Sequence, residues 1–305
     1  MAREIKNVAI LGATGNVGVE VVKAVLAAGK FTVTAIVRPG SSHKFPNGVQ
    51  TKEANLSSME SLITAFLGQD AVINTTNITD PATNIRIADA AQEAGAYRFI
   101  PADFGQDPAT SHGPDFPVFA FKSATLKHLK EITGAEGGMT WTVIVNGAFL
   151  DLNMALGFLG IDVPKRRAEI ISGGDTPTYY TTLEMIGQAT AGVLLHPAET
   201  ANRSVFIHSV VKTQNQLLAL AQQALGSEGW TISHEDNKEK FAWAVAEMAK
   251  GTFDLPVVMH QIRRVISDPE VAREPAQYDN ELLGLKSMTD GEVVEMVRKI
   301  AAAAA

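Results

Sequence analysis

Val8-Ala9-Ile10-Leu11-Gly12-Ala13-Thr14-Gly15-Asn16-Val17-Gly18 is the stretch that decides how this chain folds. Val8 to Leu11 is a short apolar run of strand type. The glycines follow at once, and Val17 to Ala28 then repeats apolar side chains at helical spacing. A strand, a glycine loop and a helix in that order give a G-x-x-G-x-x-G pattern its meaning. The glycines let the backbone turn tightly, so that N–H groups at the start of the helix can face a pyrophosphate. Gly12, Thr14, Gly15, Asn16, Val17 and Gly18 are therefore expected to bind the phosphates of a dinucleotide.

Outward from this unit, β-branched runs alternate with longer helical patterns, which predicts a parallel sheet with crossover helices. Strands are expected near 7–11, 32–38, 49–53, 70–75, 97–101 and 140–146. Helices are expected near 16–28, 57–67, 80–94 and 118–134. Beyond Asn146 the alternation gives way to a dense apolar stretch, short strands, helices near 183–195, 213–225 and 236–250, and a helical ending punctuated by Pro256, Pro269 and Pro275. The fold class is α/β, a Rossmann-type doubly wound parallel sheet. Residues 1–146 form its nucleotide-binding domain, and 147–305 a smaller α/β lobe on the substrate side.

The 305 residues are 46% hydrophobic and 19% charged, with a formal net charge of −7. This is the balance of a globular protein without the basic face that nucleic acid or an anionic membrane requires. The chain has no cysteine, which excludes disulfides, thiolate nucleophiles and cysteine metal sites. With no leader-like segment before Val8 and no apolar run of about 18 residues, a soluble, cytoplasmic monomer or homodimer is expected.

At the end of the second strand, a dinucleotide site selects its cofactor. An acidic residue there would grip a ribose 2′-hydroxyl; this chain has Arg38, followed by Ser41, Ser42 and Lys44. A guanidinium and hydroxyl donors suit a 2′-phosphate. One charge-assisted contact of about 1.5–3 kcal/mol favours NADPH over NADH by roughly 10- to 150-fold.

None of the four tyrosines begins a Tyr-x-x-x-Lys dyad: Tyr97, Tyr179, Tyr180 and Tyr278 are followed four places on by Pro101, Leu183, Glu184 and Leu282. One lysine nevertheless stands out. On the wheel of the helix near 118–134, Val118, Leu126 and Leu129 fall on the same side as Lys122, Phe121, Thr125 and Ile132 extend that stripe, and Lys127, Lys130 and Glu131 face away. A lysine in an apolar stripe is costly to keep charged and suits proton transfer near neutrality. A side chain snorkelling from the first turn, or one binding the cofactor ribose, fits the same wheel. Val118 stands where the tyrosine of the dyad would be.

The glycine loop, Val37-Arg38-Pro39-Gly40-Ser41, Arg98-Phe99-Ile100-Pro101-Ala102-Asp103-Phe104-Gly105 and Lys122 together resemble the NmrA-like, isoflavone-reductase-like branch of the atypical short-chain dehydrogenases. Val145-Asn146-Gly147-Ala148-Phe149, Thr182 to Gly187 and Ser204 to His208 extend the likeness into the second half. The resemblance implies an NADPH-dependent reductase of a small aromatic or phenylpropanoid-like molecule, with Lys122 as general acid/base. It also implies contacts to NADPH or NADP+ from Thr75, Thr76, Asn77, Phe104 and Asn146. Ala102-Asp103 replaces the family's usual Ser-Glu, which points away from the plant substrates. Relatives of NmrA type that bind the dinucleotide as redox sensors supply a second reading, and a redox-neutral isomerase or cyclase that retains NADP a third.

The seven histidines show no metal-ligand spacing, so no metal is expected. Asp103 fits a polar partner beside the nicotinamide or a turn cap. His112 fits a substrate contact or a plain loop residue. Phe149, Met154 and Phe158 fit an aromatic substrate wall or core packing.

Overall fold

The computed structural model of the protein describes residues 3–111, 113, 115–134, 138–269 and 271–304. Strand β1 (Asn7–Leu11) is packed on both faces: Val8 and Ile10 enter one apolar layer, Ala9 and Leu11 the other. A strand covered on both sides reads as continuously apolar, which is why Val8 to Leu11 does. Then follow α1 (Asn16–Ala27), β2 (Thr32–Val37), β3 (Val49–Glu53), α2 (Met59–Phe66), β4 (Ala71–Asn74), α3 (Pro81–Glu93), β5 (Arg98–Ile100), α4 (Pro108–Ser111), α5 (Ala120–Ile132) and β6 (Thr140–Val145). These six strands and one later strand make a seven-stranded sheet among the described residues, with every pair parallel. The chain runs from β1 outward through β2 to β3, then restarts at β4 on the other side of β1, next to β5 and β6. This is the doubly wound Rossmann arrangement, with its switch point between β1 and β4.

Local chemistry sets the helix boundaries. Ser58 accepts a hydrogen bond from the Ser61 N–H and so starts α2 just inside the expected 57–67; Asp80 caps α3, with Pro81 at its first position. The helix expected over 118–134 begins instead as a 3-10 turn, Pro117–Phe119, and becomes α-helical only at Ala120.

After β6 come β7 (Ala148–Phe149), α6 (Leu150–Leu156), β8 (Ile161–Asp162), β9 (Arg167–Ile171), β10 (Thr178–Thr181), α7 (Leu183–Leu195), β11 (Arg203–Phe206), β12 (Val210–Lys212), α8 (Gln214–Leu225), β13 (Thr231–Glu235), α9 (Asn237–Ala249), α10 (Leu255–Ser267) and α11 (Asp290–Ala303). Two small sheets, β12-β10-β7 and β13-β9-β8, carry the lobe, whose apolar core includes Met154, Tyr180, Leu217 and Val293. The chain beyond Asn146 also returns to the main sheet. β11 lies parallel to β6 as the seventh strand, and α7 lies on α1 so closely that a Cβ at Gly187 would come within 2.3 Å of the Glu20 carbonyl oxygen.

Arg98 ties that return to the sheet. Its side chain is fully buried and donates to the hydroxyls of Thr140 (2.9 Å), Thr142 (2.7 Å) and Thr200 (2.9 Å) and to the Pro197 carbonyl. Burial pulls its pKa down to about 10, and neutral acceptors satisfy the guanidinium.

Candidate functional site

The carboxyl ends of β2, β1, β4, β5 and β6 are adjacent in the sheet, and each expected binding segment follows one of them. Gly12, at φ +73°, follows β1; a Cβ there would meet the Thr75 carbonyl and Thr76 nitrogen after β4 at 2.8 Å. A Cβ on Gly18 would lie 2.1 Å from the Gly12 carbonyl oxygen. These two glycines let the loop, the helix and the β4 end close on one another. Gly15 is the N-cap of α1 with no side-chain cap, and Thr14, Gly15 and Asn16 are exposed. The N–H groups at the amino end of a twelve-residue helix therefore face outward above the strand ends. Arg38, Ser41, Ser42 and Lys44 are all exposed after β2, in a loop held by hydrogen bonds from Ser41 N–H to the Arg38 carbonyl and from Gly40 N–H to Glu53.

The loop after β4 is set by a buried amide pair. Asn74 donates to Asn84 of α3 (3.1 Å) and accepts from the Thr76 N–H and hydroxyl, while the Thr75 hydroxyl donates to the Leu11 carbonyl. Thr75 and Thr76 are half-buried and Asn77 is exposed.

After β5 the chain turns through Asp103, Phe104 and Gly105, and the Gly105 carbonyl accepts from the N–H groups of Asn146 (3.0 Å) and Gly147 (2.9 Å) beyond β6. Lys122, on the first turn of α5, reaches this turn. Its Nζ is 3.3 Å from Asp103 Oδ1, with side-chain exposures of 13% and 4%, so the pair is shielded from bulk water. The ammonium also lies 5.5 Å from the centre of the Phe119 ring, within cation–π range. A Cβ on Gly105 would stand 3.3 Å from Nζ, so the glycine leaves the room that the ammonium fills. The helix wheel holds in three dimensions: Val118, Thr125, Leu126 and Leu129 are buried, and Lys127, Lys130 and Glu131 are exposed. Asn146 is wholly buried, donates to the Gly147 carbonyl and leaves its Oδ1 without a partner among the described residues. A ring of backbone N–H groups, a basic loop and a spare buried amide oxygen on neighbouring strand ends fit the pyrophosphate, the 2′-phosphate and the carboxamide of a nicotinamide dinucleotide.

The remaining candidates scatter. Phe149 is half-buried in β7, against the core beneath β1. Met154 is buried in the core of the lobe and helps line a small apolar pocket with Leu150, Leu159, Tyr180 and Leu217. Phe158 packs on that core and accepts from Arg263 through its carbonyl. His112 lies outside the described residues. Among the described residues no cluster of side chains could hold a metal ion, and no helix is long and apolar enough to cross a membrane.

The NmrA-like family profile matches residues 4–231 of the chain. The chain belongs to the NmrA-like family. The oxidoreductase aprR of Aspergillus flavus is 30% identical over 296 residues, covering 96% of this chain and 98% of that one. Phenylcoumaran benzylic ether reductase Betv6 of Betula pendula is 29% identical over 240 residues, 74% of this chain and 76% of its own. Among solved structures, the binary complex of leucoanthocyanidin reductase with NADPH from Vitis vinifera superposes with a TM-score of 0.74 at 17% identity, covering 95% of this chain and 99% of that one.

Within this NmrA-like chain, three side chains that shape the site escaped sequence reading. Asn74 and Asn84 each look like an ordinary polar residue, although a polar residue closing an apolar strand is a weak sign of a bonded loop. Gln261, buried in α10, accepts from the Val118 N–H at 3.1 Å. Its one trace in the sequence is a position on the apolar face of a strongly two-sided helix.

Proposed function

We propose that this NmrA-like protein is an NADPH-dependent reductase of small aromatic, phenylpropanoid-like molecules, with Lys122 as the proton donor. The observation that carries this reading is the shielded Lys122–Asp103 pair beside Gly105, at the end of β5 and separated in the sheet from the glycine loop after β1 by β4 alone. The names of the birch and grapevine proteins support the substrate class, and the NADPH complex of the latter supports the cofactor.

Gly12, Thr14, Gly15, Asn16, Val17 and Gly18 would hold the pyrophosphate, and Arg38, Ser41, Ser42 and Lys44 the 2′-phosphate. Thr75, Thr76, Asn77 and Phe104 would flank the nicotinamide half, with Asn146 Oδ1 accepting from the carboxamide. When bound, the dinucleotide supplies a hydride. The Lys122 ammonium delivers the matching proton to the substrate atom that gathers negative charge, directly or through water. Asp103, 3.3 Å from the ammonium, fixes where it points. Residues 147–305, beginning with Phe149, would cover the acceptor from the other side.

The test is the decay of NADPH absorbance with aromatic ketones, enones, benzylic ethers and coniferyl-type esters, for wild type beside Lys122→Ala. Wild type should oxidise NADPH with at least one acceptor. The variant should lose about 100-fold or more in turnover while binding NADPH as tightly. Equal turnover would remove Lys122 from the mechanism. No oxidation with any acceptor, despite tight NADPH binding, would turn the reading toward a protein that binds the dinucleotide without consuming it.

A further inference from the structure

Helix α5 has no side-chain cap of its own: Phe119 precedes it and caps nothing. The first N–H groups of a helix need partners from elsewhere. At Val118, in the 3-10 turn leading into α5, the partner comes from 143 residues away, as the Gln261 side-chain oxygen accepts from the Val118 N–H at 3.1 Å. Gln261 is fully buried, and its other end donates to the Met248 sulfur of α9 at 3.5 Å. Both helices also meet the turn through apolar contacts: Phe116, Val118, Phe119 and Val265 form one buried cluster, with Phe241 and Met248 against it. The 3-10 turn that runs directly into the first turn of α5, and carries Phe119 against the Lys122 ammonium, is thus gripped by the α9–α10 hairpin.

We infer that Gln261 is a positioning residue for Lys122, through the Val118 N–H, and so makes the placement of that ammonium depend on the docking of the α9–α10 hairpin. The inference rests on the reading of Lys122 as the proton donor. Two facts make the bond more than packing. A buried amide that loses its partner strands both its own oxygen and the N–H it served, so the wild-type geometry is strongly preferred to any in which the turn has shifted. Val118 and Lys122 lie one helical turn apart, so a movement of the Val118 backbone is passed to Lys122 with little loss. On the same helix Arg263 holds the lobe, donating to Glu169 (2.6 Å), Glu235 (3.2 Å) and the Phe158 carbonyl (3.1 Å). α10 therefore grips the lysine-bearing turn with one residue and the lobe with another, two places along.

The experiment compares wild type, Gln261→Met, which keeps the shape and removes the acceptor, and Gln261→Glu, which keeps an acceptor oxygen. The lysines of each full-length protein are reductively methylated with a 13C label, and the Lys122 resonance is identified by its loss in Lys122→Arg. The Lys122 signal is expected to move in Gln261→Met and to return toward the wild-type position in Gln261→Glu, with NADPH affinity unchanged in both. With the acceptor that wild type turns over, kcat should fall about 10-fold or more in Gln261→Met while KM for NADPH stays put, and Gln261→Glu should recover most of it. An unmoved Lys122 resonance in a folded Gln261→Met protein, or equal loss in both variants, overturns the inference. If wild type turns over no acceptor, the reductase reading fails while the resonance alone still decides whether Gln261 sets the position of Lys122.

Discussion

Asp103 and Lys122 share one shielded contact, so each defines the other's role. Asp103→Asn leaves the turn its shape and removes the charge that holds the ammonium. Turnover is expected to fall about 10-fold or more at neutral pH, with NADPH affinity retained, in steady-state assays beside binding titrations. Arg38 works in the opposite setting, exposed at the end of β2, where it would contribute selectivity rather than chemistry. Arg38→Asp is expected to abolish or reverse the preference for NADPH over NADH, a swing of roughly 10-fold or more in the ratio of the two dissociation constants. Unchanged affinities for both dinucleotides would remove Arg38 from the 2′-phosphate site.

Among the elements, Arg98 links β5, β6 and the connection from α7 to β11 through three threonine hydroxyls, two of them (Thr142 and Thr200) buried, and a carbonyl. Arg98→Leu strands these acceptors, and each buried acceptor left alone costs about 1–3 kcal/mol. A loss of roughly 3 kcal/mol or more is expected, read as a lower urea midpoint. The same region shows what the sequence could and could not convey. The strands through β6 were legible to within a residue or so, because their signal is a local apolar run between turns. Lys122 was legible because a helix wheel needs no partner to be drawn. Ser204 to His208 was legible only as part of the family likeness, and its place beside β6 was not, because pairing partners 61 residues apart (Val143 with Ser204) leave no local mark. Gln261 stayed hidden for the same reason: its importance comes from what docks on it.

Across the whole molecule, proton binding should tie stability to pH through the buried charges around α9 and α10. His260 is held below its ordinary 6.5 chiefly by burial; Glu235 and Glu169 raise it, and Arg263 and Lys240 lower it. Asn237 at 3.0 Å and the Trp243 ring also face it. From about 6.5 downward the unfolded chain takes up a proton that the folded chain refuses, so stability falls with pH until the folded histidine also protonates. Asp151, raised by burial, works in the opposite sense as the pH falls through its own folded pKa, so the informative quantity is a difference between variants. The urea midpoint of wild type is expected to drop between pH 7.5 and 5.5 more steeply than that of His260→Gln, and parallel slopes would exclude His260 as the source. The route of the chain through the sheet has another consequence, for the order in which the protein can be made. β6 has its outer neighbour, and the valines of α1 their cover from α7, only once the chain has been synthesised through β11. A nascent chain that has emerged only to Asn146 presents an open parallel edge and a bare apolar helix face. The glycine loop, written first, therefore waits on a strand written much later, and the interval is when a chaperone has most to protect.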